Sequence, residues 1–448
     1  MDFYSLKATC HVMLYLIYLL AFHCYADTNQ TSILVVNATS NLTPRRIPDT
    51  FFGVFLEEIN HGVSGGLWAE LRNKVALRME VLCGGTKPCP SSGVGISNPG
   101  FWGMNIEQRK KYQIVYYIKA LAKLDLQISF TGANSEKLAS TNVTVGNTTN
   151  WTRMVNILEA NASYHNASLQ ITTTTKGVYW LDQVSAMPMD TYKGNGFRND
   201  LFQMVAELKP KFLRFPGGTF VEGNRLRNAF RWKDTVGPWE ERPGHFNDVW
   251  DYWTDDGFGY FEGLQLYTNS KDMFQKSSKF DKTSRSGPKA FVSEYAVWKE
   301  DAGMGSLVAA VAEAAFLIGL ERNSWLPDAI VFDSYQHYGT PSYWVQKLFT
   351  ESSGAIFLPT TLETNSSNSL IASAINPKQS KDNQNYIRIK VVNFGINSQN
   401  LQISVNGLNS TIKQLGSTKT VLTSSNLMDE NSFSEKMKIF HFRSTFIA

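Results

Sequence analysis

Glu294 stands in the stretch Lys289–Val297 (KAFVSEYAV), where the apolar run Ala290-Phe291-Val292 gives out after a Pro-Lys step. Asp301 to Gly305 then leads into Ser306-LVAAVAEAAFLIGL, an Ala-rich apolar segment that reads as helix. Strand, carboxylate, loop and helix make one unit of a β/α repeat. In a (β/α)₈ barrel the strand C-termini carry the chemistry, and a carboxylate there can attack a sugar carbon. Read alone, Glu294 equally fits a strand-end carboxylate that caps the following loop or pairs with an arginine. Two other stretches end in polar groups. Phe51-FGVFLEEINHGVSGGLW begins as a strand and closes on Glu57, Glu58, Asn60 and His61, which suit a site lining or a surface turn. Lys211-FLRFPGGTFVEG carries Arg214 where a strand meets a Pro-Gly-Gly turn, and a guanidinium can orient a carboxylate through two parallel hydrogen bonds.

The elements that must hold these residues fall into three blocks. Asp200-LFQMVAELKP has helical spacing and precedes the Arg214 strand. Between about Val75 and Met189 the chain reads as all-β, with strands at Tyr112-QIVYYIKAL, Leu126-QISFTG, Leu169-QITTTT and Val178-YWLDQVSA. That pattern predicts an inserted β-sandwich, and Trp102, Trp151 or Trp180 could stack on a sugar ring or simply belong to the core. From Glu351 onward strands return at Ala355-IFLPTTL, Leu370-IASAI, Tyr386-IRIKVVNFG and Leu401-QISVNG, as in an antiparallel sandwich. Ser32 to Val36 reads as a strand with no assignable partner, and no closing strand is read in Glu435-KMKIFHFRSTFIA.

The chain has 448 residues, 43% hydrophobic and 18% charged, with a formal net charge of +4. That charge is scattered and forms no basic stripe for nucleic acid. Residues 1–26 read as a secretory signal, with Lys7, the apolar run Val12 to Phe22 and a small-residue cleavage site ending at Ala26. The run falls short of the ~20 residues a membrane span needs, so no membrane anchor is expected. Removing that segment leaves Cys83 and Cys89, a pair expected to close one small disulfide loop, with no spacing for a metal and no cofactor motif. Ten N-x-S/T sequons, at Asn29, Asn37, Asn41, Asn142, Asn147, Asn150, Asn161, Asn166, Asn365 and Asn409, agree with a secreted, extracellular destination.

FFGVFLEEINHGVSGGLWAE, NPGFWGMNIEQ, LRFPGGTFVEG, RWKDTVGPWEERPGH, FVSEYAV and YGTPSYWVQKLF together resemble the plant α-L-arabinofuranosidases of glycoside hydrolase family 51. The resemblance runs from about Ile47 to Ser432. It implies a fold of mixed α/β plus all-β class. A (β/α)₈ barrel would occupy 47–71 and 189–349, an inserted carbohydrate-binding-like β-sandwich 75–188, and a C-terminal β-sandwich 350–448 with the strand 32–46. It also implies retaining removal of terminal arabinofuranose from arabinan and arabinoxylan of the cell wall. By motif, Glu294 matches the nucleophile on the seventh strand, Glu57 and Arg214 match residues that bind the sugar and organise the carboxylates, and Tyr267 matches a tyrosine of the sixth strand.

The departures are specific. The family's acid/base is a Glu in a G-N-E segment ending the fourth strand, and no such segment occurs here. The chain passes from Phe261-EGLQ directly to Leu266-YTNSKDMF, with Gln265 where the family has His. Further gaps fall at Ser324-Trp325 and near Leu71-Arg72. Roughly 185 residues remain for the barrel, whereas complete barrels take ~250 with ~200 near the lower limit, so the barrel is expected to be incomplete. Glu57, Glu222 or Glu262 would have to replace the lost acid, which demands hydrogen-bond reach of the glycosidic oxygen. The expectation is a family member inactive as written. The alternatives are a non-catalytic secreted carbohydrate-binding protein or a truncated gene model.

Overall fold

The computed structural model describes residues 31–38, 45–55, 76–84, 86–214, 223–231, 234, 244–254, 264–278, 292–297, 303, 305–323, 330–364, 369–377, 386–395, 397–408 and 416–446. The chain divides into two compact units, 1–46 with 356–412, and 47–355 with 413–448.

The smaller unit is built on two sheets. Thr31–Asn37 alternates exposed and buried positions and lies between Thr360–Glu363, antiparallel, and Asn400–Asn406, parallel. The strand at Ser32 to Val36 thus finds two partners. The second sheet runs Arg45–Arg46, Ile356–Leu358, Leu370–Asn376, Arg388–Asn393. Leu34, Val36, Leu358, Ala372 and Ala374 form the shared core. The single strand expected over Ala355 to Leu362 is divided at Pro359, and its halves join different sheets. Proline has no N–H for a ladder, and its carbonyl accepts from the Asn37 N–H at 2.9 Å.

Within the larger unit, 77–188 makes two antiparallel sheets. One is ordered Thr148–Glu159, Lys111–Ala120, Gly177–Pro188, Leu77–Val81. The other is ordered Val94–Asn98, Tyr164–Thr173, Leu124–Thr131, Lys137–Val145, with Met104–Ile106 beside Tyr164–Thr173. Strict alternation along Lys111–Ala120 sends Tyr112, Ile114, Tyr116 and Ile118 inward, against Leu126, Ile128, Phe130 and Ile171. Cys83 and Cys89 are joined in a disulfide. Trp151 is exposed, while Trp180 is half-buried beneath the Lys119 ammonium, 5.6 Å from its ring.

The remainder of this unit is α/β. Val54–Phe55 pairs in parallel with Leu213–Arg214, the strand that follows the helix Asn199–Glu207. Leu264–Thr268 pairs in parallel with Val292–Val297, and the helix Ser270–Gln275 lies between them in sequence. The helix Leu307–Asn323 comes next and is buried along most of its described length, as an all-round apolar sequence must be. Gly319 permits that burial: a Cβ there would stand 1.9 Å from the Ser277 carbonyl oxygen. The hairpin Ile330–Phe332 and His337–Gly339 and the helix Pro341–Phe349 complete the part.

The C-terminal stretch makes its contacts with this α/β part. Asp429 and Leu427 carbonyls accept from the Leu307 and Val308 N–H groups, both at 2.9 Å, satisfying the first turn of the long helix. Asn431, 2% exposed, donates to the Gly339 and Ile439 carbonyls at 2.8 Å and accepts from the Ile439 N–H at 2.7 Å. Phe442–Phe446 then pairs antiparallel with Ser417–Val421, a closing strand where none was read in the sequence.

Candidate active site

Glu294 lies within the strand Val292–Val297, whose register against Leu264–Thr268 sets Gln265 opposite Glu294 and Tyr267 opposite Ala296. Beyond Glu294 the strand turns alternate residues inward, Tyr295 and Val297, with Ala296 between them less buried. Tyr295 is 1% exposed, its ring edge-on to Phe316 of the long helix at 4.7 Å, and Val297 is also buried. Arg214 occupies the last position of Leu213–Arg214 and pairs in register with Phe55, two residues before Glu57 in the chain. The structure therefore brings Glu294 and Tyr267 onto one pair of strands, and Arg214 onto the strand beside the approach to Glu57. Glu57, Glu58, Asn60 and His61 lie outside the described residues, as do Glu222 and Glu262.

The polar group best defined near this strand is one that the sequence reading passed over. Glu313 projects from the long helix into a fully buried position. Its Oε1 accepts from the Val297 N–H at 3.3 Å, and its Oε2 accepts from the Ser342 hydroxyl at 2.5 Å. One carboxyl thus ties the end of the Glu294 strand to two helices. Burial pushes its pKa up to about 7, against the opposing pull of the two hydrogen bonds. The available signal was a lone Glu in the Ala-rich run AAVAEAAFLIGL.

A second network holds the turn after Ile330–Phe332. Arg198 donates to both carboxylate oxygens of Asp200, at 3.2 and 2.7 Å, and to the Asp333 carbonyl at 2.5 Å. His337 Nδ1 stands 3.2 Å from Asp200. Burial works against the charge on Asp200, but hydrogen bonds from His337 and Arg198 outweigh it and hold the carboxyl well below the usual range. Among the described residues no group of three or more His, Cys, Asp or Glu side chains is placed to hold a metal ion, and no helix is long and apolar enough to cross a membrane.

Two family models match the chain, the α-L-arabinofuranosidase 1 domain over residues 204–274 and the α-L-arabinofuranosidase C-terminal domain over 293–445. Alpha-L-arabinofuranosidase 1 of Arabidopsis thaliana is 42% identical, over 92% of this chain and 87% of its own length. Alpha-L-arabinofuranosidase 2 of the same plant is 41% identical with the same coverage. The alignment with the first spans 597 positions, whereas this chain has 448 residues, so at least 149 positions carry residues of the relative alone. Among solved structures, a family 51 α-L-arabinofuranosidase with bound arabinose superposes with a TM-score of 0.78 at 21% identity, over 93% of this chain and 96% of that one. The enzyme of Xanthomonas axonopodis pv. citri superposes with a TM-score of 0.50 at 11% identity, over 93% and 95%. Shared fold across the length, and identity above 40% to plant enzymes that are themselves glycosidases, lead to one assignment: the chain belongs to the α-L-arabinofuranosidases of glycoside hydrolase family 51.

Proposed function

We propose that this chain descends from a secreted, retaining α-L-arabinofuranosidase that removes terminal non-reducing arabinofuranosyl residues from cell-wall arabinan and arabinoxylan, and that as written it lacks the proton donor for that reaction. Glu294 is the nucleophile in this reading, with Glu57, Arg214 and Tyr267 binding the sugar. Tyr295 and Val297 are buried against the helix side, and the period-two alternation of a strand leaves position 294 on the other face. The domain assignment that goes with the reading takes 47–71 and 189–349 as a partial barrel, 75–188 as the inserted sandwich and 350–448 with 32–46 as the C-terminal sandwich.

The observation that carries the proposal is the surplus of the relative's aligned positions over this chain's residues, together with the missing G-N-E segment. Retaining cleavage needs two carboxyl groups ~5–5.5 Å apart, one attacking while the other protonates the leaving oxygen. A positioned proton donor contributes ~10²–10⁴-fold, and nitrophenolate leaves without that help while a sugar alkoxide does not. Natural arabinan should therefore be inert and an aryl arabinofuranoside turned over near background. The experiment compares this chain with a form in which the residues upstream of Leu266 are restored from a plant relative. Glu294→Gln should change almost nothing in the chain as written and should abolish turnover in the restored form. Robust arabinose release from arabinan by the chain as written, lost in that variant, would overturn the reading.

A second reading, a non-catalytic carbohydrate-binding protein, is favoured by the completeness of the inserted sandwich. Its two sheets enclose a hydrophobic core of their own. Retention on arabinan by a chain without measurable turnover, in the restored form as well, would select it.

A further inference from the structure

A polar cleft of about 730 Å³ opens between the inserted sandwich and the turn 333–336, lined by Asn105, Glu107, Gln108, Arg109, Ser163, His165 and Tyr335. That volume is in the range of ~300–1,000 Å³ usual for small-ligand sites. We propose that this cleft is a second carbohydrate-binding site, for a neutral segment of an arabinose-containing polysaccharide, in which Arg109 donates to sugar hydroxyls and Tyr335 supplies an aromatic platform. The identity of the polymer rests on the reading above; the cleft itself does not.

Both walls are held in place before any ligand arrives. On one side, Glu107 to Lys110 form a tight turn closed by the Lys110 N–H and the Glu107 carbonyl at 3.1 Å. The Glu107 N–H donates to the Tyr112 hydroxyl, the Gln108 N–H to the Ser163 hydroxyl, both at 2.8 Å, and the Arg109 N–H to the Ala160 carbonyl at 2.7 Å. The Gln108 side-chain amide reaches the Asn161 carbonyl at 2.8 Å. Arg109 itself sits at φ 70°, a conformation that costs an L-residue energy and persists only where the surroundings enforce it. Every backbone N–H of the turn is hydrogen-bonded, yet the Arg109 guanidinium has no hydrogen-bond or ion-pair partner among the described residues.

On the other side, Asp333 accepts from the N–H groups of Tyr335 and Gln336 at 2.8 and 2.6 Å, and Arg198 holds the Asp333 carbonyl. The Ser334 hydroxyl reaches the carbonyls of Trp102 and His165, at 3.3 and 3.5 Å, and so stitches the turn to the sandwich. The Tyr335 ring lies flat on His165, with centroids 4.1 Å apart and planes 7° from parallel. His165 Nδ1 stands 2.6 Å from Asn105 Oδ1, and Asn105 donates to Glu107 at 2.9 Å. The result is a rigid set of fixed donors and acceptors around a stacked aromatic pair.

Charge selects the class of ligand. The carboxylates of Glu107 and Asp190 share the Lys110 ammonium, at 3.1 and 2.9 Å, and Arg109 supplies the second positive charge, so the lining favours neither an anion nor a cation. A polyhydroxylated neutral molecule fits both the hydrogen-bonding inventory and the aromatic surface.

The test uses the full chain, made without N-glycans because the sequons at Asn161 and Asn166 adjoin the cleft. Migration is measured by electrophoresis through gels containing arabinan, arabinoxylan or an arabinose-free β-glucan. Tyr335→Ala and Arg109→Ala should each weaken retention by arabinan at least about tenfold, while Tyr335→Phe, which keeps the ring, should behave as wild type. Thermal unfolding of each variant within about 2 °C of wild type separates lost binding from lost structure. Retention by arabinan that is unchanged in both alanine variants would overturn the cleft and leave the polymer assignment standing. Retention only by the β-glucan, lost in both variants, would uphold the cleft and overturn the polymer assignment. Absence of retention in all three gels would overturn the cleft, while the aryl arabinofuranoside experiment on the restored form still decides the family activity.

Discussion

Replacing Glu313 by Gln should make the larger unit more stable at alkaline pH and leave it unchanged in acid. The neutral carboxyl can accept from the Val297 N–H and donate to the Ser342 oxygen, and a glutamine amide reproduces both roles at the same positions. The ionised carboxylate keeps two hydrogen bonds but is fully desolvated, with no described cation beside it. Because the folded pKa is raised from 4.5 to about 7, the folded state binds this proton more tightly than the unfolded chain does. The stability it contributes is complete below pH 4.5 and is lost as pH rises through about 7. At 1.36 kcal/mol per tenfold change in proton affinity, the whole effect is roughly 3 kcal/mol.

The assay is thermal unfolding of wild type and Glu313→Gln at pH 4.5, 6 and 8.5, followed by a signal from the larger unit. The two midpoints should coincide at pH 4.5. At pH 8.5 the variant should melt higher, by something on the order of 5 °C at the usual few degrees per kcal/mol. Glu313→Leu distinguishes titration from packing, because it strands the Val297 N–H and should be ~1–3 kcal/mol less stable than Glu313→Gln at every pH. A constant difference between wild type and Glu313→Gln across this range would show that Glu313 does not titrate as a buried acid. The reasoning would then fail at the desolvation step.

Other perturbations follow from the same geometry. Asp200→Asn should destabilise the protein at neutral pH by an amount that begins to shrink once pH falls below the ordinary carboxylate pKa of 3.8, because a carboxyl held below its usual range contributes stability that is lost only as pH falls through its folded value; urea unfolding should show a smaller but still present difference at pH 3 than at pH 7. Asn431→Ala removes three buried hydrogen bonds and should cost ~2–4 kcal/mol, with earlier proteolytic release of the C-terminal segment as the readout. Gly319→Ala should lower the melting midpoint despite alanine's better helix propensity, since its methyl group would meet the Ser277 carbonyl; a raised midpoint would refute that close approach.

How much of this was legible depended on whether one element carried its own signal. Lys111–Ala120 alternates so regularly that its strand and its inward face are both readable. The helix Leu307–Asn323 announces itself by continuous apolar residues. Thr148–Glu159 hides, because Val155 and Ile157 on its outer face are apolar and exposed, which erases the period-two contrast. Leu264–Thr268 is five residues of mixed character and becomes a strand only through its parallel neighbour. The division at Pro359 was present in the residue type, yet which sheet each half would join is a tertiary fact.

The same distinction governs the sites. Glu294, Arg214 and Tyr267 stand out because each belongs to a motif several residues long, and the strand pairings gather two of them without any side-chain detail. The cleft has no motif at all. Its residues come from 105–109, 163–165 and 335, stretches that read separately as a turn, a sequon and a loop. What makes them a candidate site is the contrast between a turn whose N–H groups are all bonded and a guanidinium with no partner among the described residues, and that contrast exists only after the sandwich and the turn meet. Glu313 lies between these cases. A single carboxylate in an apolar helix already implies a buried partner or a raised pKa, since an isolated charge there would be too costly. The sequence states that some polar group must face it. Only the fold identifies the groups that do so as the Ser342 hydroxyl and the Val297 N–H, three residues along the strand from Glu294.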